Sequence, residues 1–580
     1  MRVSMPENQK AENLLNLSLD VSDEERMASP VLSVGTDADN ERWEVIVKYH
    51  GDISGVASEE ITVETLSAGY AIITLPRRYI EALATLEEIE FLEKPKRLFY
   101  GDAAGNFASC LYTASGPGNR YTGKGVCIGI VDSGLSFELP AFCNADGSSR
   151  VLFYLDLVQG REYTKEELDQ ILRGDREGGY EGIRPTPDIT GHGTCVTAIA
   201  AGNGRRRDGS VDTNLIGMAP EASLLVVKLD TGANNSFPLT TSLMRALNYI
   251  VNKAVELRLP LAVNLSFGNT YGPHDGTSLI ERFVNNVAEI GRTTICVGSG
   301  NEGASGGHTG GMINQGEGEQ QVEFVIASYE REFNLQIWLN FTDRYEIALR
   351  APGGESFVFE TENDRERTLR WSLEDTAILI YVGVPQPYSV NREIFIDYIP
   401  RNDYVNQGVW SISFRALEIK SGNYSMYMPS SQVKGSATRF LQPVLEQTLT
   451  IPSTAERVIT VGAYNSAFDA YADFSGRGYV TRLSEGYIHM VKPEIVAPGV
   501  GIMAENEEGL QRLDGTSYAT PFVTGAAALL MEKYILGGAD VYLYGEKMKA
   551  KLCANAKELT ETEAVPNEKV GWGGLCLSDF

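Results

Sequence analysis

The 580-residue chain carries 77 Asp and Glu against 50 Lys and Arg, a formal net charge of −27. A surface of that sign repels phosphate backbones and anionic lipid, so neither a nucleic-acid nor a membrane partner is expected. At 43% hydrophobic and 22% charged the chain is too apolar to stay disordered and long enough for several domains, yet no stretch approaches the ~20 apolar residues that span a bilayer.

Residues 1–40 hold eight acids against three bases and one short apolar patch, Leu14 to Leu19, which predicts a flexible N-terminal arm able to dock through its leucines. From Trp43 the pattern becomes that of a small α+β module, 41–100. WEVIVKYHG reads as a strand, Tyr70 to Leu75 as a second, Arg78 to Thr85 as a helix and Ile89 to Glu93 as a final strand. It ends at EKPKRLFY, before a Gly-rich stretch, Gly101 to Gly105, that reads as exposed.

Continuous apolar strands then alternate with helices: VCIGIVDSG, TCVTAIAAG, ASLLVVKLD, LMRALNYIVNKAVEL, LAVNLSFG, FVNNVAEIG and TTICVGSGN. That rhythm predicts an α/β fold, a parallel sheet with helices on both faces, over 101–310. Residues 311–450 break it with ten short strand-like runs, from VEFVIASY to TLTIP, separated by Gly, Pro, Asn and Asp. They predict an all-β sandwich or jelly roll inserted into the α/β domain, which resumes over 451–580. The aromatic residues of the insert suit structural support, with carbohydrate binding as the alternative. The seven cysteines are scattered without a CxxC pair and read as free thiols of a reducing compartment.

Three polar residues stand where packing alone would not choose them. Asp132 ends the strand CIGIV, and ligands gather at the carboxyl ends of parallel strands. His192 lies in GHGT before an apolar helix, and Ser517 lies in GTSYATP before another. Pro521 is tolerable only in a first helical turn, which sets Ser517 at a helix N-terminus with its N–H aimed outward. A serine hydroxyl needs a base in hydrogen-bond reach, and the base needs an orienting carboxylate; these residues supply all three types. Asn301, in GSGN after the strand TTICV, can donate its amide to an oxyanion beside the Ser517 N–H. Cys195 reads as a small core residue and Arg205 to Arg207 as a solvated loop.

The motifs VDSG (131–134), GHGT (191–194), NLSFG (264–268), GSGN (298–301) and GTSYATP (515–521), in that order, resemble those of the subtilisin-like serine peptidases. The resemblance implies Asp132, His192 and Ser517 as catalytic triad and Asn301 with Ser517 as oxyanion hole. It further implies Ser266, Phe267, Gly268, Gly298, Ser299 and Gly300 as walls of the specificity pocket. WEVIVKYHG, EKPKRLFY, NFASC and the long β insert resemble, more narrowly, the Csp-type germination proteases of anaerobic spore-formers. That likeness implies a prodomain, 41–100, acting as folding chaperone and inhibitor and bound in the active-site cleft, self-processing near Tyr100 and Gly101, a jelly-roll insert that stiffens the catalytic domain, and limited proteolysis of a spore cortex-hydrolase zymogen. Some members of that family are pseudoproteases, which leaves a catalytically silent binding or sensing protein as the alternative; three filled triad positions favour the enzyme. A protein or peptide substrate, a monomer, and no metal or other cofactor are expected. Met1 to Lys10 lacks an apolar run, so no signal peptide is expected, and synthesis is placed in the cytoplasm with spore association or non-classical export to follow.

Overall fold

The computed structural model describes residues 10–37, 41–100, 121–174, 183–231, 237–361, 367–373, 375–483, 486–560 and 564–578. Its centre is a nine-stranded sheet. From one edge it runs Ala470–Tyr471, Ile459–Asn465, Thr293–Gly298, Leu261–Leu265, Cys127–Asp132, Ser223–Lys228, Val151–Asp156 and Arg161–Thr164, with Ile495–Pro498 beside Ile459–Asn465. The inner pairings are parallel, and antiparallel hairpins close both ends.

Alternation along each strand feeds two cores. Ile128 and Ile130 pack with the helices His192–Ala201 and Thr516–Leu530. Cys127 and Val131 point the other way, onto the helices Thr240–Leu257 and Leu279–Ala288. A strand covered on both faces has no solvent side to mark with polar residues, which is why these strands read as unbroken apolar runs.

The 41–100 module forms a four-stranded antiparallel sheet, Thr62–Leu66, Tyr70–Pro76, Arg42–Tyr49 and Ile89–Glu93 in spatial order. One face, with Ile46, Tyr70, Ile72 and Phe91, lies on the two helices Thr240–Leu257 and Leu279–Ala288. Arg245 of the first helix pairs with Glu44 at 2.8 Å and Glu64 at 2.6 Å, and Tyr70 meets Phe283 of the second edge to face. The other face is covered by the helix Ile80–Thr85 and by Leu15 of the N-terminal segment.

That segment corrects the expectation of a flexible arm. Residues 13–20 and 23–28 are helices, the second opened by a Ser22–Glu25 capping box. Leu14 and Leu17, three apart on one helical face, join Leu379, Tyr381 and Phe395 of the β insert, while Leu15 faces the 41–100 sheet. A polar composition was outweighed by one turn of leucines serving two surfaces at once.

The insert is a sandwich of a six-stranded and a five-stranded antiparallel sheet sharing one core around Trp410, Phe324 and Ile394. It opens earlier than expected, with the strand His308–Met312, and closes at Arg439–Phe440. The run TLTIP is not a sandwich strand: Thr450 donates its N–H to Ser299 and Ile451 bridges to Asn269, so this segment runs along the catalytic domain. Cys127, Cys143, Cys195, Cys296 and Cys553 are free thiols, but Cys576 is disulfide-bonded, against the expectation of free thiols throughout. Scatter along a chain says little about which segments the fold brings together. The Gly101 to Gly105 stretch and Cys110 lie outside the described residues.

Candidate active site

Asp132 ends its strand fully buried, and His192 is the first residue of its helix, 3% exposed. The Asp132 Oδ1 accepts from the Ser133 N–H at 2.7 Å and from His192 Nδ1 at 2.7 Å. A carboxylate only accepts, so the proton sits on Nδ1 and Nε2 keeps the basic lone pair. The contact needs a close crossing: a Cβ on Gly193 would stand 2.2 Å from the Gly134 carbonyl oxygen, and Gly191 takes φ +69° to start the helix.

Asp188, missed in the sequence, organises this corner. Its Oδ2 accepts from the Thr194 N–H at 2.9 Å and Oγ1 at 2.6 Å, and its Oδ1 from Ser133 Oγ at 2.8 Å and the Gly191 N–H at 3.1 Å. It thus caps the His192 helix, whose own N-cap is a glycine without a side chain. Lys228 pairs with Asp132 in the sheet register and donates to the carbonyls of Ser133 and Pro187, the latter at 3.1 Å. Burial pushes its amine down from the usual lysine range, while Asp188, Asp156 and Asp132 oppose that shift.

Ser517 is the second residue of the helix Thr516–Leu530 and 2% exposed. Its Oγ donates to the Ser266 carbonyl at 2.8 Å. The next residue, Tyr518, has its ring centroid 5.5 Å from that of His192, which puts the imidazole against the side chain of a first-turn residue of this helix. Pro521 is the sixth helical residue, beyond the first turn where it was expected. The carbonyl that its missing N–H would have satisfied is that of Ser517, and Ser266 Oγ donates to it instead at 2.9 Å.

The Asn301 Oδ1 accepts from the Thr516 N–H at 3.1 Å and Oγ1 at 3.0 Å. Pinning the oxygen leaves the amide N–H groups as the donors that the side chain can turn toward a ligand. Asn301 and Ser517 line one cleft together with Ser266, Phe267, Gly268, Gly298 and Gly300. Ser299, expected among these walls, does not line it: Ser299 is fully buried and its Oγ lies 3.3 Å from Ser475 Oγ. The strand ends at Gly298, and beyond it Ser299 turns inward while Gly300, at φ +87°, returns to the cleft.

Two further groups belong to the cleft. Thr450 lies against both walls, since a Cβ on Gly268 would stand 2.5 Å from its Oγ1 and one on Gly300 would stand 2.4 Å from its Cγ2. Glu302 accepts from Ser430 Oγ at 2.8 Å and from Ser431 N–H and Oγ, each at 3.0 Å, drawing a loop of the insert to the cleft. Neither residue stands in a motif of its own. The nearest signal was position: Glu302 directly follows Asn301, and Thr450 sits where the β pattern gives way to α/β.

The end of the 41–100 module enters the same place. Phe99–Tyr100 pairs antiparallel with Phe267–Gly268, Tyr100 opposite Phe267 and Phe99 opposite Gly268. Arg97 with Glu332, the Leu98 N–H on the Pro238 carbonyl at 2.7 Å and Phe99 against Phe237 hold the approach. Gly101, the other residue named for processing, lies outside the described residues. Among the described residues no cluster of three or more His, Cys, Asp or Glu side chains could hold a metal ion, and no helix is long and apolar enough to cross a membrane.

Residues 9–96 match the Csp protease B prodomain, and residues 123–364 and 415–573 match the Subtilase family. Among solved structures, the CspB protease of Clostridium perfringens is 33% identical and superposes with a TM-score of 0.72, over 81% of this chain and 94% of that one. The PIII-type proteinase of Lactococcus lactis subsp. cremoris (strain SK11) is 22% identical over 493 residues, 79% of this chain, and the Major intracellular serine protease of Bacillus subtilis (strain 168) is 28% identical over 234 residues, 40% of this chain and 59% of that one. The chain spans about a quarter of the length of the lactococcal relative, 24% of it. With two matched segments covering more than half of its residues, this chain belongs to the Subtilase family and carries a prodomain of the Csp type.

Proposed function

We propose that the chain is a serine endopeptidase that processes itself and then cleaves a protein substrate. Ser517 attacks the peptide carbonyl and passes its proton to His192 Nε2. Asp132 holds the imidazole tautomer and stabilises the imidazolium, and water then hydrolyses the acyl-enzyme. The Ser517 N–H and the Asn301 amide take the oxyanion, for which loss of one donor costs ~10²–10³ in kcat, the magnitude measured on subtilisin. The observation that carries this reading is the buried 2.7 Å contact of His192 Nδ1 with Asp132, with the imidazole 5.5 Å from the ring of Tyr518, the residue next to Ser517.

Substrate binds as an added strand on Ser266–Gly268, the place that Phe99–Tyr100 takes here. With Tyr100 opposite Phe267, the bond offered to Ser517 lies at Gly101 or directly beside it, and the cut prodomain stays in the cleft as a product. Following the likeness to Csp-type proteases, the physiological substrate is the zymogen of a spore cortex hydrolase. The test is N-terminal sequencing of purified wild type and Ser517→Ala. Wild type is expected to yield a second N-terminus between residues 100 and 103, and Ser517→Ala only the intact chain; the same second N-terminus in both would refute the assignment.

A further inference from the structure

A proline four residues after the nucleophilic serine leaves the serine's own carbonyl without its helical partner, because Pro521 has no N–H to give. A buried carbonyl without a donor is costly, so what satisfies it matters. Here the donor comes from outside the helix. Ser266 Oγ lies 2.9 Å from the Ser517 oxygen, Asn264 Nδ2 lies 2.8 Å from Ser266 Oγ, and Thr524 Oγ1 lies 3.1 Å from Asn264 Oδ1. Asn264, Ser266 and Thr524 are all essentially inaccessible to solvent.

With the Asn264 amide turned as it stands, the donors follow one order. An amide nitrogen can only donate, so Asn264 Nδ2 fills a lone pair of Ser266 Oγ and leaves that hydroxyl's single proton for the Ser517 carbonyl. Thr524 Oγ1, one turn beyond Thr520 on the same helix, lies 3.1 Å from Asn264 Oδ1 and 3.2 Å from the Thr520 carbonyl, and its proton on Oδ1 goes with the amide turned toward Ser266. The chain of bonds therefore starts on the serine's helix, crosses to the pocket-wall strand and returns to the serine. Ser517 answers through its own Oγ, which donates to the Ser266 carbonyl at 2.8 Å.

Resting on the peptidase reading above, we propose that Ser266, beyond lining the pocket, is a positioning residue for Ser517: its hydroxyl, oriented by Asn264 and Thr524, stands in for the N–H that Pro521 lacks and locks the first helical turn to the pocket wall. A misplacement of ~1 Å at a nucleophile can cost ~10²-fold in rate, so the lock acts on kcat. Ser266 acts through Ser517, and its backbone contacts to substrate are untouched by a change at Oγ.

The experiment is a double-mutant cycle on the full chain, with kcat and KM from a fluorogenic peptide and rates of fluorophosphonate labelling. Ser266→Ala is expected to lower kcat by about 10- to 100-fold with KM changed less than threefold. Pro521→Ala restores an N–H within the helix, so the double variant Ser266→Ala/Pro521→Ala is expected to recover at least fivefold of the lost kcat, and thermal melts check that each variant folds. If Ser266→Ala keeps wild-type kcat, or if its loss appears in KM and is not relieved by Pro521→Ala, the positioning role is overturned. If Ser266→Ala does not fold, Asn264→Asp replaces it: a carboxylate there can only accept, the Ser266 proton turns to it, and kcat must fall with relief by Pro521→Ala, or the proposal is wrong. Ser517→Ala runs alongside: activity surviving in it sinks the peptidase reading itself, a different outcome from any of these.

Discussion

Two regions of the molecule gather charge into its interior by opposite means. At the start of the His192 helix, Asp132 accepts from Ser133 and from His192, 60 residues on, and Asp188 accepts from Ser133, Gly191 and Thr194. At the junction of N-terminal segment, prodomain and insert, Glu12, Glu93 and Glu393 surround one cation, Lys96, which lies 2.7 Å from Glu12 and 3.3 Å from Glu93. Burial pushes the Glu93 and Glu393 carboxyls up to about 7, as it does Asp397, which accepts from Ser29. At the His192 helix each carboxylate accepts from donors close by; the junction keeps an excess of acid in a closed space. The first arrangement suits a fixed catalytic geometry, the second an interface whose stability answers to pH.

Substitutions can break the contrast. The largest effect is expected from Gly193→Ala, whose Cβ would fall 2.2 Å from the Gly134 oxygen and force His192 off Asp132. Activity on a peptide substrate should drop more than ~100-fold, and a retained rate would mean that the crossing of helix and strand does not set the base. Lys96→Met leaves the junction carboxylates without their cation. A loss of about 3–5 kcal/mol in urea unfolding is expected, and no loss would show that the acids are held neutral at no cost.

The pH dependence sharpens the same comparison. Glu93, Glu393 and Asp397 have folded values raised above those of the unfolded chain, so the folded state holds the extra protons. Their contribution is complete below about pH 4 and is lost as pH rises through about 7. Lys94, pushed down to about 7 by burial, works in the other direction above that pH, so the decline should level off there. Thermal melts at pH 5, 6 and 7 should show Tm falling by several degrees, less steeply in Glu393→Gln; a Tm that rises over this range contradicts the account. The smallest effect is expected at Arg370→Ala, which removes an exposed pair with Glu25 and should change stability by less than about 0.5 kcal/mol.

The same contrast decides what could be read from the sequence. The positions of Asp132 at a strand end and of His192 and Ser517 at helix starts were legible because each lies in a short glycine-bearing motif, whereas Asn301 stands three residues past its strand. The parallel sheet was legible because strands buried on both faces carry unbroken apolar runs. Leu14, Leu15 and Leu17 were legible as a docking patch, but not the helices that carry them or their partners, Phe395 and the 41–100 sheet, which lie far along the chain. Pro521 was misplaced by a turn because its compensation comes from Ser266, which local helix rules do not include. Ser299, expected in the pocket wall with its neighbours, turns inward to Ser475 just past the strand end, a local bend that the motif GSGN does not reveal. Asp188 was overlooked because its contacts are in part to backbone N–H groups, which carry no sequence signal, and Ser133, one of its hydroxyl partners, lies 55 residues away.

The most direct test of the central claim is to treat the purified chain with a fluorophosphonate and map the modified residue by peptide mass spectrometry. A single adduct on Ser517, lost in His192→Ala, is the predicted result; an unmodified chain, or an adduct on another serine with Ser517 untouched, would contradict it.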